Sequence, residues 1–140
     1  MREILFRGKI TQDEWVYGFY ENVKLEAATI HYINGKIVSS KTVGQYTGLT
    51  DKNGKKIFEG DIIRAITLDT GSEEIAVVCF GNFIDENNGD EYIGFYIEFD
   101  GIKTTATQLA MEECKNHIEI IGNIFDNPEL LYVEDGSTKI

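Results

Sequence analysis

Fourteen glycines against a single proline punctuate the 140 residues of this chain, and the apolar segments between them are short and rich in Val, Ile, Tyr and Phe. Such spacing leaves little room for helices. An amphipathic helix needs about ten or more residues of 3.6-residue periodicity, whereas four to eight residues bounded by turn formers read as strands. The segments that read this way are 2–7, 14–21, 29–33, 36–39, 42–46, 61–67, 74–80, 92–99 and 118–121. The sharpest local signal is Ile30-His31-Tyr32-Ile33-Asn34-Gly35-Lys36-Ile37-Val38. Asn and Gly both tolerate positive φ, so Asn34-Gly35 between alternating apolar residues predicts a type I′ hairpin. In Trp15-Val16-Tyr17-Gly18-Phe19-Tyr20 both alternating faces are apolar, which predicts a strand covered on both sides with Gly18 at a bulge or bend. Only residues 105–115 predict a helix, with Thr105 and Gln108 as a capping-box pair ahead of Leu109 and Ala110. Asn127-Pro128 predicts one further helical turn, Asn127 capping it and Pro128 at its first position. The expected tail, 134–140, frays.

Charge divides the chain. Residues 1–70 carry ten basic and nine acidic side chains, a net +1, while residues 71–140 carry three and fifteen, a net −12; together these give the −11 of the whole chain. An acidic half repels phosphate backbones, so any contact with nucleic acid must use the first half. A hydrophobic content of 42% supplies a core for a single soluble domain over residues 1–140, with residue 70 as the point where a subdivision would fall. No apolar run approaches the roughly 20 residues of a membrane-spanning helix, and the N-terminal apolar stretch is too short for a secretory signal. The expected compartment is the cytoplasm. Two cysteines, Cys79 and Cys114, are too few for a disulfide framework.

Several constellations invite a chemical reading. Gly48 and Gly54-Lys55-Lys56 imitate a phosphate-binding loop, but five residues separate the glycines where four are required, and Lys56 stands in place of Ser or Thr. The acidic stretch 85–91, with Asp85, Glu86, Asp90 and Glu91, could ligate calcium, yet Gly89 falls at the fifth loop position instead of the sixth. Cys114 and His117, with Cys79 and His31, could complete a zinc shell or a Cys-His nucleophile only if the fold converges them. Trp15, Tyr17, Tyr20, Tyr32 and Tyr46 could stack bases, although aromatic residues on strands are more often core. Lys52, Lys55, Lys56 and Arg64 form the one basic cluster, interrupted by Asp51, Glu59 and Asp61.

Three blocks resemble the YopX family of small phage and prophage proteins. They are Met1-Arg-Glu-Ile-Leu-Phe-Arg-Gly-Lys9 with Trp15-Val-Tyr-Gly18, the run from Thr42 through Gly48, Asp51, Gly54, Gly60 and Asp61 to Ile62, and Ile118-Glu-Ile-Ile-Gly-Asn-Ile-Phe-Asp-Asn-Pro-Glu-Leu130. The second block is the most specific. The resemblance implies a mainly β fold and a bacterial host, and supplies no biochemical activity. The long stretch between Phe80-Gly81 and Gly94-Phe95 departs from the family pattern and predicts an extended hairpin loop. Within the second block, Asp51, Asn53 and Gly54 suit a tight turn, and Gly60-Asp61 suits the start of a strand in a small SH3-like barrel.

The expected protein is therefore mainly β (α+β with minor helices), a small SH3-like or related barrel with hairpin extensions. No catalytic set, cofactor or metal site is expected. The function expected is that of a non-enzymatic binding or assembly module, homo-oligomeric through its first half or bound to another phage or host protein. One alternative is nucleic-acid binding through Lys52, Lys55, Lys56 and Arg64, and another is a metal-dependent hydrolase using the 85–91 loop.

Overall fold

A computed structural model describes residues 3–66, 71–106 and 117–132. The fold is mainly β, built from curled antiparallel sheets. Its chain separates into two compact units, Met1–Gly48 and Leu49–Ile140. The division lies upstream of the charge break, because the strands on either side of residue 70, β8 (Asp61–Ile66) and β9 (Glu73–Ile84), pair with each other inside the second unit.

In the first unit, β1 (Phe6–Thr11), β2 (Glu14–Gly18) and the start of β6 (Gly44–Thr50) form a sheet in the order β2-β1-β6. A second sheet is formed by β3 (Tyr20–Lys24), β4 (Thr29–Ile33) and β5 (Lys36–Val38). The β4–β5 hairpin turns through Asn34 at φ 50° and Gly35 at φ 78°, the geometry its Asn-Gly pair predicts. The expected strand 14–21 is instead two strands. Asn34 explains the break: its Oδ1 accepts from the Phe19 N–H at 2.9 Å and its Nδ2 donates to the Tyr17 carbonyl at 3.1 Å. A Cβ at Gly18, whose φ is 152°, would fall on the Asn34 amide, so only glycine fits. The inner face of β3-β4-β5 carries Tyr20, His31, Ile33 and Val38, and it packs on β1 so closely that a Cβ at Gly8 would meet Ile33 and Val38 at 3.1 Å. A 3-10 turn, Ser40–Thr42, latches β5 back onto β1: the Thr42 Oγ1 accepts from the Lys9 N–H at 2.8 Å, and the Lys9 carbonyl accepts from Ser39 at 2.9 Å.

The second unit holds the end of β6, the short β7 (Lys56–Phe58), and a five-stranded sheet of β8 (Asp61–Ile66), β9 (Glu73–Ile84), β10 (Glu91–Phe99), β11 (Ile102–Thr105) and β12 (Ile118–Asn123). Its order is β11-β10-β9-β8-β12, antiparallel throughout. Ile57, Ile63, Ala76, Val78, Ile97, Ala106 and Ile118 form its core. The β9–β10 ribbon is longer than expected and curls back: the Glu86 N–H donates to the Lys103 carbonyl and the Thr105 N–H to the Asp85 carboxylate, both at 3.1 Å. The ribbon's own tip thereby covers the outer edge of β11, an edge otherwise open to strand pairing. Thr105, the expected helix cap, closes β11, and residues 107–115 of that expected helix lie outside the described residues, as do Cys114 and the tail. Pro128 does start a 3-10 turn, Pro128–Leu131, but Asn127 does not cap it. The Asn127 Oδ1 instead accepts from the Asn123 N–H at 3.3 Å.

Candidate functional site

Chemistry in a chain with so few histidines would fall to carboxylates, and among the described residues three of them are buried: Asp51 at 3% exposure, Asp61 at 3% and Asp85 at 4%. Each serves the backbone. The Asp51 Oδ1 accepts from the N–H groups of Asn53 and Lys55, both at 2.9 Å, and its Oδ2 accepts from the Ile120 N–H at 3.0 Å. The 51–55 turn is thus tied to β12, and the Lys52 N–H reinforces the tie by donating to the Ile118 carbonyl at 2.9 Å. Burial alone would raise the pKa of Asp51, but the donors from Ile120, Lys55 and Asn53, with the Lys55 charge, overcome it and hold the carboxyl below its ordinary range. The Asp61 Oδ2 accepts from Phe58 at 2.7 Å, bracing the β7–β8 turn. The Asp85 Oδ1 accepts from Asn87 at 2.8 Å, and its other oxygen holds Thr105.

These hydrogen bonds give the family-signature residues a structural role. Gly54 and Gly60 adopt φ of 78° and 93°, as the turn reading requires, and Gly48 adopts 89°. Gly60 also links two elements, donating to the Val78 carbonyl at 2.8 Å and accepting from Ile124 at 2.9 Å. In the basic cluster, Lys52 and Arg64 converge on one carboxylate oxygen of Glu119, at 3.4 and 3.7 Å. That pairing offsets part of the positive potential a phosphate would seek.

Cys79 is partly buried, and burial followed by the nearby Glu98 charge pushes its thiol up to about 11, which suppresses the thiolate needed for nucleophilic or metal chemistry. His31 lies in the first unit, its Nδ1 2.6 Å from the Tyr20 hydroxyl, while Cys79 and His117 belong to the second. Among the described residues no group of three or more His, Cys, Asp or Glu side chains is placed to hold a metal ion. The aromatic residues do not form one platform. Trp15 is covered by the Arg7 guanidinium at 4.7 Å and the Lys9 ammonium at 5.3 Å from its ring centre, Tyr46 is buried, and Tyr20 and Tyr32 point to opposite faces of their sheet.

One exposed surface of the first unit is apolar. On the outer face of β3-β4-β5 the strand registers place Glu21 and Val23 beside Tyr32, Ile30 and Ile37. Ile37 is 60% exposed, and Phe19, immediately before β3, is 71% exposed. This apolar set fell partly outside the sequence reading: Ile30, Tyr32 and Ile37 were legible as strand residues of one hairpin, but Val23 lay outside the expected strands and only the sheet register shows that it lies beside them.

A family model described as YopX protein matches residues 5–132. The chain belongs to the YopX family. A search of curated proteins finds no match for this YopX-family chain. Among solved structures it is similar to the crystal structure of protein EF1440 from Enterococcus faecalis, at 22% identity and a TM-score of 0.50, over 94% of this chain and 99% of that one. At that identity the similarity supports the shared fold. No helix among the described residues of the YopX-family protein is long and apolar enough to cross a membrane.

Proposed function

We propose that this YopX-family protein is a non-enzymatic binding and assembly module that self-associates through the outer face of the β3-β4-β5 sheet. The observation that carries the reading is the composition of that face. A sheet packed on one side and wet on the other alternates apolar with polar residues, yet here Val23, Ile30, Tyr32 and Ile37 occupy the outer positions with Glu21 as their one charged neighbour. A contiguous apolar surface of this kind favours a partner over water. The first unit carries six basic and five acidic side chains, a net +1, so a second copy meets no long-range repulsion there. A two-fold axis would set the patch against itself. The absence of enzymatic activity is supported by the commitment of Asp51, Asp61 and Asp85 to backbone donors and by the raised Cys79 thiol. Expression from a phage or prophage, with the bacterial cytoplasm as compartment, completes the proposal. Size exclusion with light scattering at micromolar concentration tests it. The expected mass is twice 15.8 kDa or a higher multiple in low and high salt, and a monomer in both would overturn it.

A further inference from the structure

The β9–β10 ribbon carries a second uncovered apolar surface, separate from the self-association face and differently charged. By its register, Phe80, Asn82 and Ile84 of β9 share one face with Phe95, Ile93 and Glu91 of β10. Near the core this face is covered, with Val78 and Ile97 buried and Phe95 packed against them. Beyond the edge-on pair of Phe80 and Phe95, whose rings lie 4.9 Å apart, the face is open: Ile93 is 79% exposed and Ile84 59%. The ribbon's opposite face is filled by Phe83, stacked on Tyr92 and Tyr96, so the open stripe is the ribbon's outward side. Residues 80–95 include Asp85, Glu86, Asp90 and Glu91 and no Lys or Arg. Lys103 on the neighbouring β11 is directed to the other face, over the Tyr96 ring at 6.0 Å.

We propose that this stripe docks a basic amphipathic segment of a partner protein, whose apolar side chains cover Phe80, Ile84 and Ile93 while its Lys or Arg side chains meet Glu86, Asp90 and Glu91. The charge selects this occupant. A second copy would bring two carboxylate-rimmed stripes together within units of net −12, counting seven basic against nineteen acidic residues in 49–140, and like charges across an interface disfavour it. Phosphate-rich polymers are repelled for the same reason. A cationic apolar segment gains on both counts: it buries the isoleucines and neutralises the rim.

The test uses the full chain and fluorescence anisotropy with a labelled peptide alternating leucine and lysine. Two control peptides replace lysine by glutamate or leucine by serine. The leucine-lysine peptide should bind more tightly than either control and weaken as salt rises from roughly 0.05 to 0.5 M. Ile93→Thr and Ile84→Thr should each weaken it by about tenfold, a loss typical of a central contact. Asn82→Leu, which enlarges the stripe, should tighten it. Ile37→Lys should leave it unchanged, because that residue lies on the self-association face, and this separates failure here from failure of the assembly reading. Circular dichroism confirms that each variant is folded. Wild-type affinity in both threonine variants, equal binding of the serine control, or no binding of the leucine-lysine peptide would overturn the proposal. So would a change of oligomeric mass in Ile93→Thr, which would identify a second copy as the occupant.

Discussion

Replacing Asp51 by Asn keeps the shape of the side chain and changes only what it can accept. In the wild type one oxygen serves Asn53 and Lys55 and the other serves Ile120. The amide retains one acceptor and sets an NH2 donor against whichever backbone N–H it faces. Hydrogen bonds to a charged acceptor contribute about 1.5–3 kcal/mol and neutral ones about 0.5–1.5. Summed, two bonds weakened and one lost come to about 3.5–6 kcal/mol, but bonds that share one carboxylate are not additive, so the expected cost is about 2–4 kcal/mol. Asp51→Ala, which leaves all three donors without this acceptor, should cost about 3–5 kcal/mol. At about 3 °C per kcal/mol for a domain of this size, Asn should lower the melting temperature by about 6–12 °C at pH 7. The pH dependence follows from the lowered pKa of Asp51. A group whose folded pKa is depressed stabilises above its unfolded value, about 3.9, and loses that contribution as pH falls through the folded value. The gap between wild type and Asp51→Asn should thus be full at pH 5–7 and close below about pH 4. The assay is thermal unfolding followed by circular dichroism across this range. Equal melting of the two proteins at pH 7 would refute the claim that Asp51 ties the 51–55 turn to β12.

Other perturbations address separate parts of the fold. Gly54→Val should cost about 1–3 kcal/mol by thermal melting, entirely from the backbone, since φ is 78° and no neighbour lies within 4 Å of the added Cβ. Gly18→Ala should destabilise by displacing the Asn34 amide, and hydrogen exchange should then rise at Phe19, whose N–H that amide holds. In a Cys114→Ser background, Cys79 should alkylate slowly with iodoacetamide at pH 8, where a thiol pushed up to about 11 is about one part in a thousand thiolate, and faster as pH rises. Labelled oligonucleotides should show no salt-dependent shift with the wild type, because Glu119 already engages Lys52 and Arg64, whereas a shift that weakens steeply with salt would restore the nucleic-acid reading.

Local chemistry made much of this fold legible. Asn34-Gly35, Pro128 and the short glycine-bounded strands each act through their own backbone, so the hairpin, the 3-10 turn and most strands were readable. The Gly18 break depends on an amide 15 or more residues away in the chain, at Asn34, so the continuous apolar run read as one strand. β7 and β11 have only three and four residues, too few for any periodicity. β9 was expected to end at Phe80, with an extended loop following Gly81, yet cross-strand pairing carries it to Ile84. The partner of Asp51 lies 69 residues away, at Ile120, which no local pattern could announce. The interaction surfaces were the least visible: Ile37 and Ile93 lay in expected strands, Val23 and Ile84 lay outside them, and only the register shows that they share uncovered faces.

The mass of Ile37→Lys in solution, measured by light scattering beside the wild type, tests the assembly claim most directly. Ile37 is 60% exposed and makes no demand on the core, so the variant should fold normally while placing a charge in the middle of the apolar face. The account predicts a wild-type mass of twice 15.8 kDa or a higher multiple and a variant at 15.8 kDa under the same conditions. A wild type that runs as a monomer, or a variant that keeps the wild-type oligomeric mass, would contradict it.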